Sequence, residues 1–409
     1  MGGVVKMAKL WEPDLGTLPR FEGQKAKRVI RENQDNGKTK NKKKGGKVMK
    51  RISVISLVVL SFSMLLLFSS YSFSAPIELK FANYFPIGTA HTKIMEVFMK
   101  DIEAKTNGKV KFSYYPAGTL LTAPKMYDGV EKGMADLGFA NIGYTFGRFK
   151  ATEVLDMPIG YNTEWVATHV ANDFYRKYKP KEWDKVHVLS FSICGLNVLM
   201  TATKPVNTLD DIKGMNIRGT GYIAGVVSAL GGTPRAIPTP EAYDAVLKKV
   251  IDGLYISMET LRAFRYAEVV KYVTEIWPIG QGYTFYLIMN KNTWEKLPAD
   301  VQKVFNEYPF EERLAKMWNE IDIDGKKLGI EKGIKFIQLS PEERAKWIKA
   351  AEPVIDKYIK TMVSAGFSEK EVREWLSFTK ERRDYWTKKQ RELGIKSSTG
   401  PDYLRVDWK

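Results

Sequence analysis

The sequence predicts an α/β protein built on a mainly parallel, doubly wound sheet. Three observations predict it. Strand-like and helix-like stretches alternate in β-α-β-α-β order between Ile77 and Ala140, which is the order of helix-covered parallel sheets. The chain has 409 residues, 44% of them hydrophobic, enough to fill two or more globular domains. The stretch Leu209–Gly219 reads as a short helix, a glycine turn and a strand ending in Arg218. Ligands of open α/β sheets sit outside the carboxyl ends of strands.

The elements follow in order. Ile77–Ala82 alternates like a strand, and Asn83–Gly88 is a loop. Thr89 can cap a helix running to about Thr106, with Ile94, Val97, Phe98 and Ile102 on its apolar face. Lys109–Tyr115 is a second strand, Ala123–Lys132 a helix, and Ala135–Ala140 a buried strand. Glu164–Tyr178 is an aromatic-rich helix, and Lys185–Ile193 a long strand that leaves the first domain. Gly221–Leu230 and Glu241–Lys249 are helices, and Tyr283–Met289 is a strand that returns. Ala299–Lys327 has helical periodicity throughout. It is either one brace across both domains or two helices broken near Tyr308-Pro309, since proline interrupts helices. Ser340-Pro341-Glu-Glu343 opens a capped helix, with more helix to Arg391. The polar tail 392–409 is expected to wrap the surface.

The amino-terminal region is of another kind. Residues 1–48 are polar and basic, and Met49-Lys-Arg51 precedes the charge-free apolar run Ile52–Phe68 and the small residues up to Ala75. A positive start, an apolar centre and small residues at the exit make a secretory signal. Cleavage is expected after Ser74 or Ala75. Signals rarely start so far in, so translation is expected to begin at Met49, with 1–48 an artefact of start-site choice. An uncleaved anchor is the alternative. Residues 1–75 hold 15 Lys/Arg and 5 Asp/Glu, so the chain beyond them carries a net charge of +7 in place of +17. Most of the basic excess belongs to the leader, and no nucleic-acid partner is expected. Mild positive potential favours a small anionic ligand.

Several chemistries are excluded by composition. A lone cysteine, Cys194, allows neither an internal disulfide nor a cysteine metal cluster. His91, His169 and His187 show no ligand spacing. No nucleophile elbow, phosphate-cradling glycine loop or His-Glu metal motif is present, so the chain is not expected to be an enzyme. Arg218 has two readings. A guanidinium at a strand end takes a carboxylate through two parallel hydrogen bonds. It can equally be a surface arginine or half of a structural salt bridge.

At these residues the chain resembles the extracytoplasmic solute-binding proteins of tripartite ATP-independent periplasmic (TRAP) transporters. The likeness spans about 76–390. It rests on Thr106-Asn-Gly-Lys-Val-Lys-Phe112, Tyr115-Pro-Ala-Gly118, Val130-Glu-Lys-Gly-Met-Ala-Asp136-Leu-Gly138 and above all Lys204–Arg218. Glu241-Ala-Tyr243, Val250-Ile-Asp252-Gly253 and Asn290-Lys-Asn-Thr-Trp-Glu-Lys-Leu-Pro298 continue it. The resemblance implies a two-lobed periplasmic-binding-protein clamshell (type II-like), each lobe a mainly parallel sheet with flanking helices, with a long helix bridging the lobes. It divides the chain into 76–196 plus 285–322 as lobe I and 197–284 plus 323–409 as lobe II.

The resemblance further implies a periplasmic receptor that delivers a small organic carboxylate to TRAP membrane permease subunits, and it places the carboxylate on Arg218. A membrane-tethered sensing or scavenging domain with the same clamshell is the alternative. The chain departs from the family's sialic-acid and dicarboxylate binders. Asn197 stands about where they often carry a second arginine, and Leu254-Tyr-Ile-Ser257 replaces a Gln-Glu-Asn-Pro run. A pocket acid of some members would fall near Asn141. Tyr144, Tyr222, Tyr255 and Trp277 then wall an apolar or aromatic part of the ligand, or are core residues. The expected ligand is a monocarboxylate with an apolar or aromatic body, or a 2-oxo acid. On closure Asn83, Asn141 and Tyr144 contribute contacts from the opposing lobe. No cofactor is expected, and no bridging metal, since Glu259 near the pocket has no histidine cluster beside it. A homodimer through the C-terminal helices is open.

Overall fold

The computed structural model describes residues 75–408, within a compact unit Pro76–Lys409. The extension 1–48 and the signal region up to Ser74 lie outside the described residues.

The first elements are β1 (Ile77–Asn83), α1 (Ala90–Lys105), β2 (Val110–Tyr115), α2 (Met126–Glu131) and β3 (Leu137–Asn141). Thr89 caps α1 by accepting from the Thr92 amide at 3.4 Å. The buried face of α1 includes Ile94, Phe98 and Ile102. Then come α3 (Glu164–Tyr178) and β4 (Val186–Ile193). After a four-residue crossing the chain enters β5 (Val198–Thr201), then β6 (Asn216–Arg218), α4 (Gly221–Ala229), β7 (Thr233–Arg235), α5 (Thr239–Leu247), β8 (Gly253–Ile256), the one-turn α6 (Thr260–Ala263) and β9 (Tyr272–Glu275). It returns to β10 (Thr284–Asn290) and continues through α7 (Lys291–Lys296), α8 (Ala299–Glu307), α9 (Phe310–Glu331), β11 (Lys335–Gln338), α10 (Pro341–Ala351), α11 (Pro353–Ser364) and α12 (Glu369–Glu392).

Two sheets result, ordered β2-β1-β3-β10-β4 and β11-β9-β5-β8-β6-β7. Each has one strand running against the rest: β10 opposes β3 and β4, and β5 opposes β8 and β9. The cause is the connection. Parallel neighbours need a long crossover, usually helical, and those within each sheet have one. Strands β5 and β10 are entered directly from the other sheet, without an α-helix between, and so arrive reversed.

The helical stretch 299–327 breaks at Tyr308-Pro309 into α8 and α9, as proline dictates. Helix α9 still reaches both sheets' helices. Its Trp318 indole donates to Ser192 Oγ on β4 at 3.0 Å. One turn on, Asp322 Oδ1 accepts from the Glu259 amide, just before α6, at 3.0 Å. Much of the described tail lies at the surface, as expected, but its middle turns inward. Ser397, Ser398 and Thr399 are fully buried. The Ser398 hydroxyl donates to Asp322 Oδ2, and its carbonyl accepts from Lys326 Nζ at 3.1 Å. Small hydroxyl residues fit into that seam, and α9 supplies a polar partner for two of them: Asn319 for Ser397 and Asp322 for Ser398. The buried face of α12 is used within the chain, where Trp375 packs edge-on against Phe174 and Phe367.

The return crossing is held by Asp156, whose Oδ1 accepts from the Thr284 amide at 2.9 Å. Burial pushes its carboxyl up to about 8; the Thr284 hydrogen bonds oppose this, and nearby Glu153 adds to it. The folded carboxyl keeps its proton well above the pH at which the unfolded one loses it. Its contribution to stability is therefore full below about pH 4 and is lost as pH rises through about 8. Asp156→Asn should flatten the decline in melting temperature between pH 5 and 8, removing on the order of a few kcal/mol of pH-dependent stability. An unchanged slope would refute this reading of Asp156.

Candidate functional site

The site begins with the local sequence around Arg218. Thr208 and Asp211 close a capping box over a single turn, Leu209–Ile212. Gly214 takes φ +75°, a conformation open to glycine at little cost, and turns the chain into β6. That strand ends at Arg218 among parallel neighbours β7 and β8.

Arg218 is fully buried. Its Nε donates to the Ile237 carbonyl at 2.9 Å, Nη1 to the Tyr283 hydroxyl at 2.8 Å and Nη2 to Thr239 Oγ1 at 3.0 Å. A guanidinium has five N–H donors, so one remains on each terminal nitrogen. Among the described residues Arg218 forms no ion pair, since no carboxylate lies within 4.0 Å of it. It is therefore neither a surface arginine nor half of a protein salt bridge. Burying an unpaired charge is costly, and the nearest compensation here is phenolic: the Tyr283 ring lies 5.1 Å from the guanidinium carbon.

Thr239 ties this corner to the other sheet. Its hydroxyl shares a 2.9 Å hydrogen bond with the Tyr144 hydroxyl, which also accepts from the Thr239 amide at 3.2 Å. Tyr144 lies in the turn after β3, and Thr239 opens α5. Beside them is a narrow cavity with a free volume of about 10 Å³. Its aromatic lining is Tyr84, Phe85, Phe264, Tyr283 and Phe285, and its polar lining includes Asn141, Thr239, Ser257 and Glu259. No Lys or Arg side chain lines it.

The expected site residues separate on this geometry. Arg218 and Tyr144 meet at Thr239, and Asn141 lines the cavity with its Oδ1 buried and without a hydrogen-bond partner among the described residues. Asn83 is one contact behind. Its Oδ1 accepts from the Phe85 amide at 2.8 Å and its Nδ2 donates to the Tyr114 hydroxyl at 3.1 Å, which fixes the loop carrying Tyr84 and Phe85. Asn197 is buried at the first crossing, its amide side chain without a partner among the described residues. Tyr255 is buried on β8 beside Ile256, which lines the cavity. Tyr222 packs edge-on against Phe146 and Tyr358, and half-buried Trp277 has the Arg344 guanidinium 6.0 Å from its ring. Neither is in the cavity lining.

Sequence reasoning missed Thr239 and Tyr283, the two hydroxyls that hold Arg218. A signal for Thr239 existed: Thr239-Pro240-Glu241 is a helix start, with Pro240 in the first turn. It also read His91 as an isolated histidine. In the structure His91 is buried, stacks on Phe85 at 3.9 Å and lies 3.7 Å from Glu259.

Comparison with known proteins places this geometry. The family described as "Bacterial extracellular solute-binding protein, family 7" matches residues 81–361. The chain is similar to the C4-dicarboxylate-binding periplasmic protein DctP of Vibrio cholerae, 26% identical over 275 residues, covering 64% of this chain and 80% of that protein. A TRAP periplasmic solute-binding protein from Desulfovibrio salexigens superposes with a TM-score of 0.67 at 32% identity, covering 76% of this chain and 97% of that one. A TRAP solute-binding protein from Rhodoferax ferrireducens, crystallised with copurified benzoate, superposes with a TM-score of 0.72 at 24% identity over 76% of this chain and 99% of that one. These comparisons favour a transport receptor over a membrane-tethered sensor and lend no support to a homodimer. The two-sheet fold and the family match together identify the molecule: the chain belongs to bacterial extracellular solute-binding protein family 7, the periplasmic solute receptors of TRAP transporters, and is not an enzyme.

Proposed function

We propose that this receptor binds a small monocarboxylate with an apolar or aromatic body, a 2-oxo acid of that kind included, and hands it to a TRAP permease. The observation that carries the reading is the buried guanidinium of Arg218, with no protein carboxylate on it and one free N–H on each terminal nitrogen. A ligand carboxylate supplies the missing charge and takes both N–H groups in a bidentate pair. The rest of the lining argues against a diacid. A second carboxylate would find no Lys or Arg there and would meet the carboxyl of Glu259. The five aromatic rings suit an apolar body, as does the benzoate of the Rhodoferax ferrireducens relative.

In this reading the lobes are 76–196 plus 285–322 and 197–284 plus 323–409, joined by the two crossings and braced by α9. The carboxylate docks on Arg218 when the lobes are apart. Closure brings Tyr144 onto Thr239, excludes water and strengthens the ion pair by lowering the local dielectric. The ligand shifts the balance only by its greater affinity for the closed form. A thermal-shift panel tests this. Aromatic and other apolar monoacids should raise the melting temperature more than succinate-like diacids; diacids that outcompete every monoacid would sink the proposal.

A further inference from the structure

The cavity has a second polar end, and it is built. Glu259 is nearly fully buried and lines the cavity. Its amide is pinned to Asp322 on α9 at 3.0 Å, and its Oε1 accepts from the Ser257 hydroxyl at 3.1 Å. Its Oε2 has no hydrogen-bond partner among the described residues; His91 Nε2 is the near neighbour, at 3.7 Å. His91 is itself buried, and neither ring nitrogen has a hydrogen-bond partner among the described residues. Its ring is clamped between Phe85, parallel at 3.9 Å, and Trp318, edge-on at 4.9 Å. Buried polar atoms without partners are rare, and each requires an explanation. Here two side chains from different parts of the fold hold theirs at one place beside the cavity.

We propose that Glu259, backed by Ser257 and His91, is a specificity-determining subsite for a hydroxyl group on the ligand, so that the preferred ligand is a hydroxyl-bearing aromatic monocarboxylate. This rests on the reading of the chain as a monocarboxylate receptor with Arg218 as the carboxylate anchor. The aromatic rings between the two polar ends take the body of the ligand. Burial, reinforced by Asp322 and opposed by the Ser257 hydroxyl, raises the Glu259 carboxyl well above its ordinary range. Burial lowers the His91 imidazole to about 3. Two neutral groups result, each able to donate and accept. They complement a neutral hydroxyl, which also does both.

The test is calorimetric titration of the purified protein with benzoate, 3-hydroxybenzoate, 4-hydroxybenzoate and the two corresponding fluorobenzoates. Fluorine is close to hydroxyl in size but cannot donate. At least one hydroxybenzoate should bind about tenfold or more tighter than both benzoate and its fluoro counterpart, since a site built around a ligand hydroxyl discriminates strongly against analogues lacking it. In Glu259→Leu that ratio should fall to about one. Equal affinities across the wild-type panel, or a ratio that survives Glu259→Leu, overturn the subsite. The fluoro comparison uses the wild-type protein, so it decides the matter even if the variant fails to fold. Benzoate binding that depends on Arg218 but ignores the hydroxyl refutes the subsite alone. No binding of any of these monoacids refutes the subsite and the receptor reading together.

Discussion

Arg218→Ala should weaken carboxylate binding by about 100-fold or more, and the ligand-induced rise in melting temperature should vanish. The magnitude follows from the environment. Removing one partner of a buried, hydrogen-bonded charge pair typically costs about 2–5 kcal/mol. Here the group is fully buried behind Thr239 and Tyr283, which line the cavity, and the lining itself holds no Lys or Arg to replace it. Wild-type protein at 100 times the dissociation constant should gain about 2.7 kcal/mol of stability from its ligand. Arg218→Lys should fall between the two: it keeps a charge but lacks the planar fork that holds the Ile237 carbonyl, Tyr283 and Thr239 while presenting two further N–H groups. Titration calorimetry on the three proteins checks the order. An alanine variant that binds like wild type would make Arg218 structural.

Gly325→Ala should destabilise the protein by about 2 kcal/mol or more and weaken ligand binding with it. Two effects compete. Alanine is favoured over glycine inside a helix by about 1 kcal/mol, and Gly325 lies within α9. But a Cβ at that position would sit 2.2 Å from the Met258 carbonyl oxygen and 2.7 Å from Glu259 Cα. Those atoms are backbone, so either the helix or the 258–259 turn must move. Overpacking of this kind costs about 1–3 kcal/mol or more, and the turn that moves carries Glu259, which lines the cavity. Urea unfolding and the affinity for an aromatic monoacid are the two readouts. A variant as stable as wild type, with unchanged affinity, would mean that α9 does not constrain the site.

Much of this architecture was legible in the sequence where one local signal decides the outcome. Thr89 caps a helix, Gly214 turns the chain and Pro309 breaks a helix because each acts on its own backbone neighbours. The placing of Arg218 at a strand end followed from the same kind of signal. What was not legible depends on contacts far apart in the chain. Thr239 and Tyr283 hold Arg218 across 21 and 65 residues of sequence; the helix start at Thr239 is a local signal, but its partner is not, and nothing near Tyr283 announces its role. His91 reads as a lone histidine until Phe85 and Trp318 enclose it. Asn83 was expected to contact the ligand on closure; its side chain bonds to the Phe85 amide and the Tyr114 hydroxyl, contacts 2 and 31 residues away that the sequence does not display. The buried stretch of the tail was hidden for the opposite reason: Ser397 and Ser398 look exposed by type, and only Asn319 and Asp322 of α9 satisfy their hydroxyls inside the protein.

The most direct measurement is the crystal structure of the protein with the tightest-binding monoacid. The account predicts a ligand carboxylate bridging both terminal nitrogens of Arg218 at about 2.7–2.9 Å, with Tyr144 closed onto Thr239 and the aromatic body among Phe85, Phe264 and Phe285. A ligand seated elsewhere, with the Arg218 guanidinium bonded only to Ile237, Thr239 and Tyr283, would contradict it.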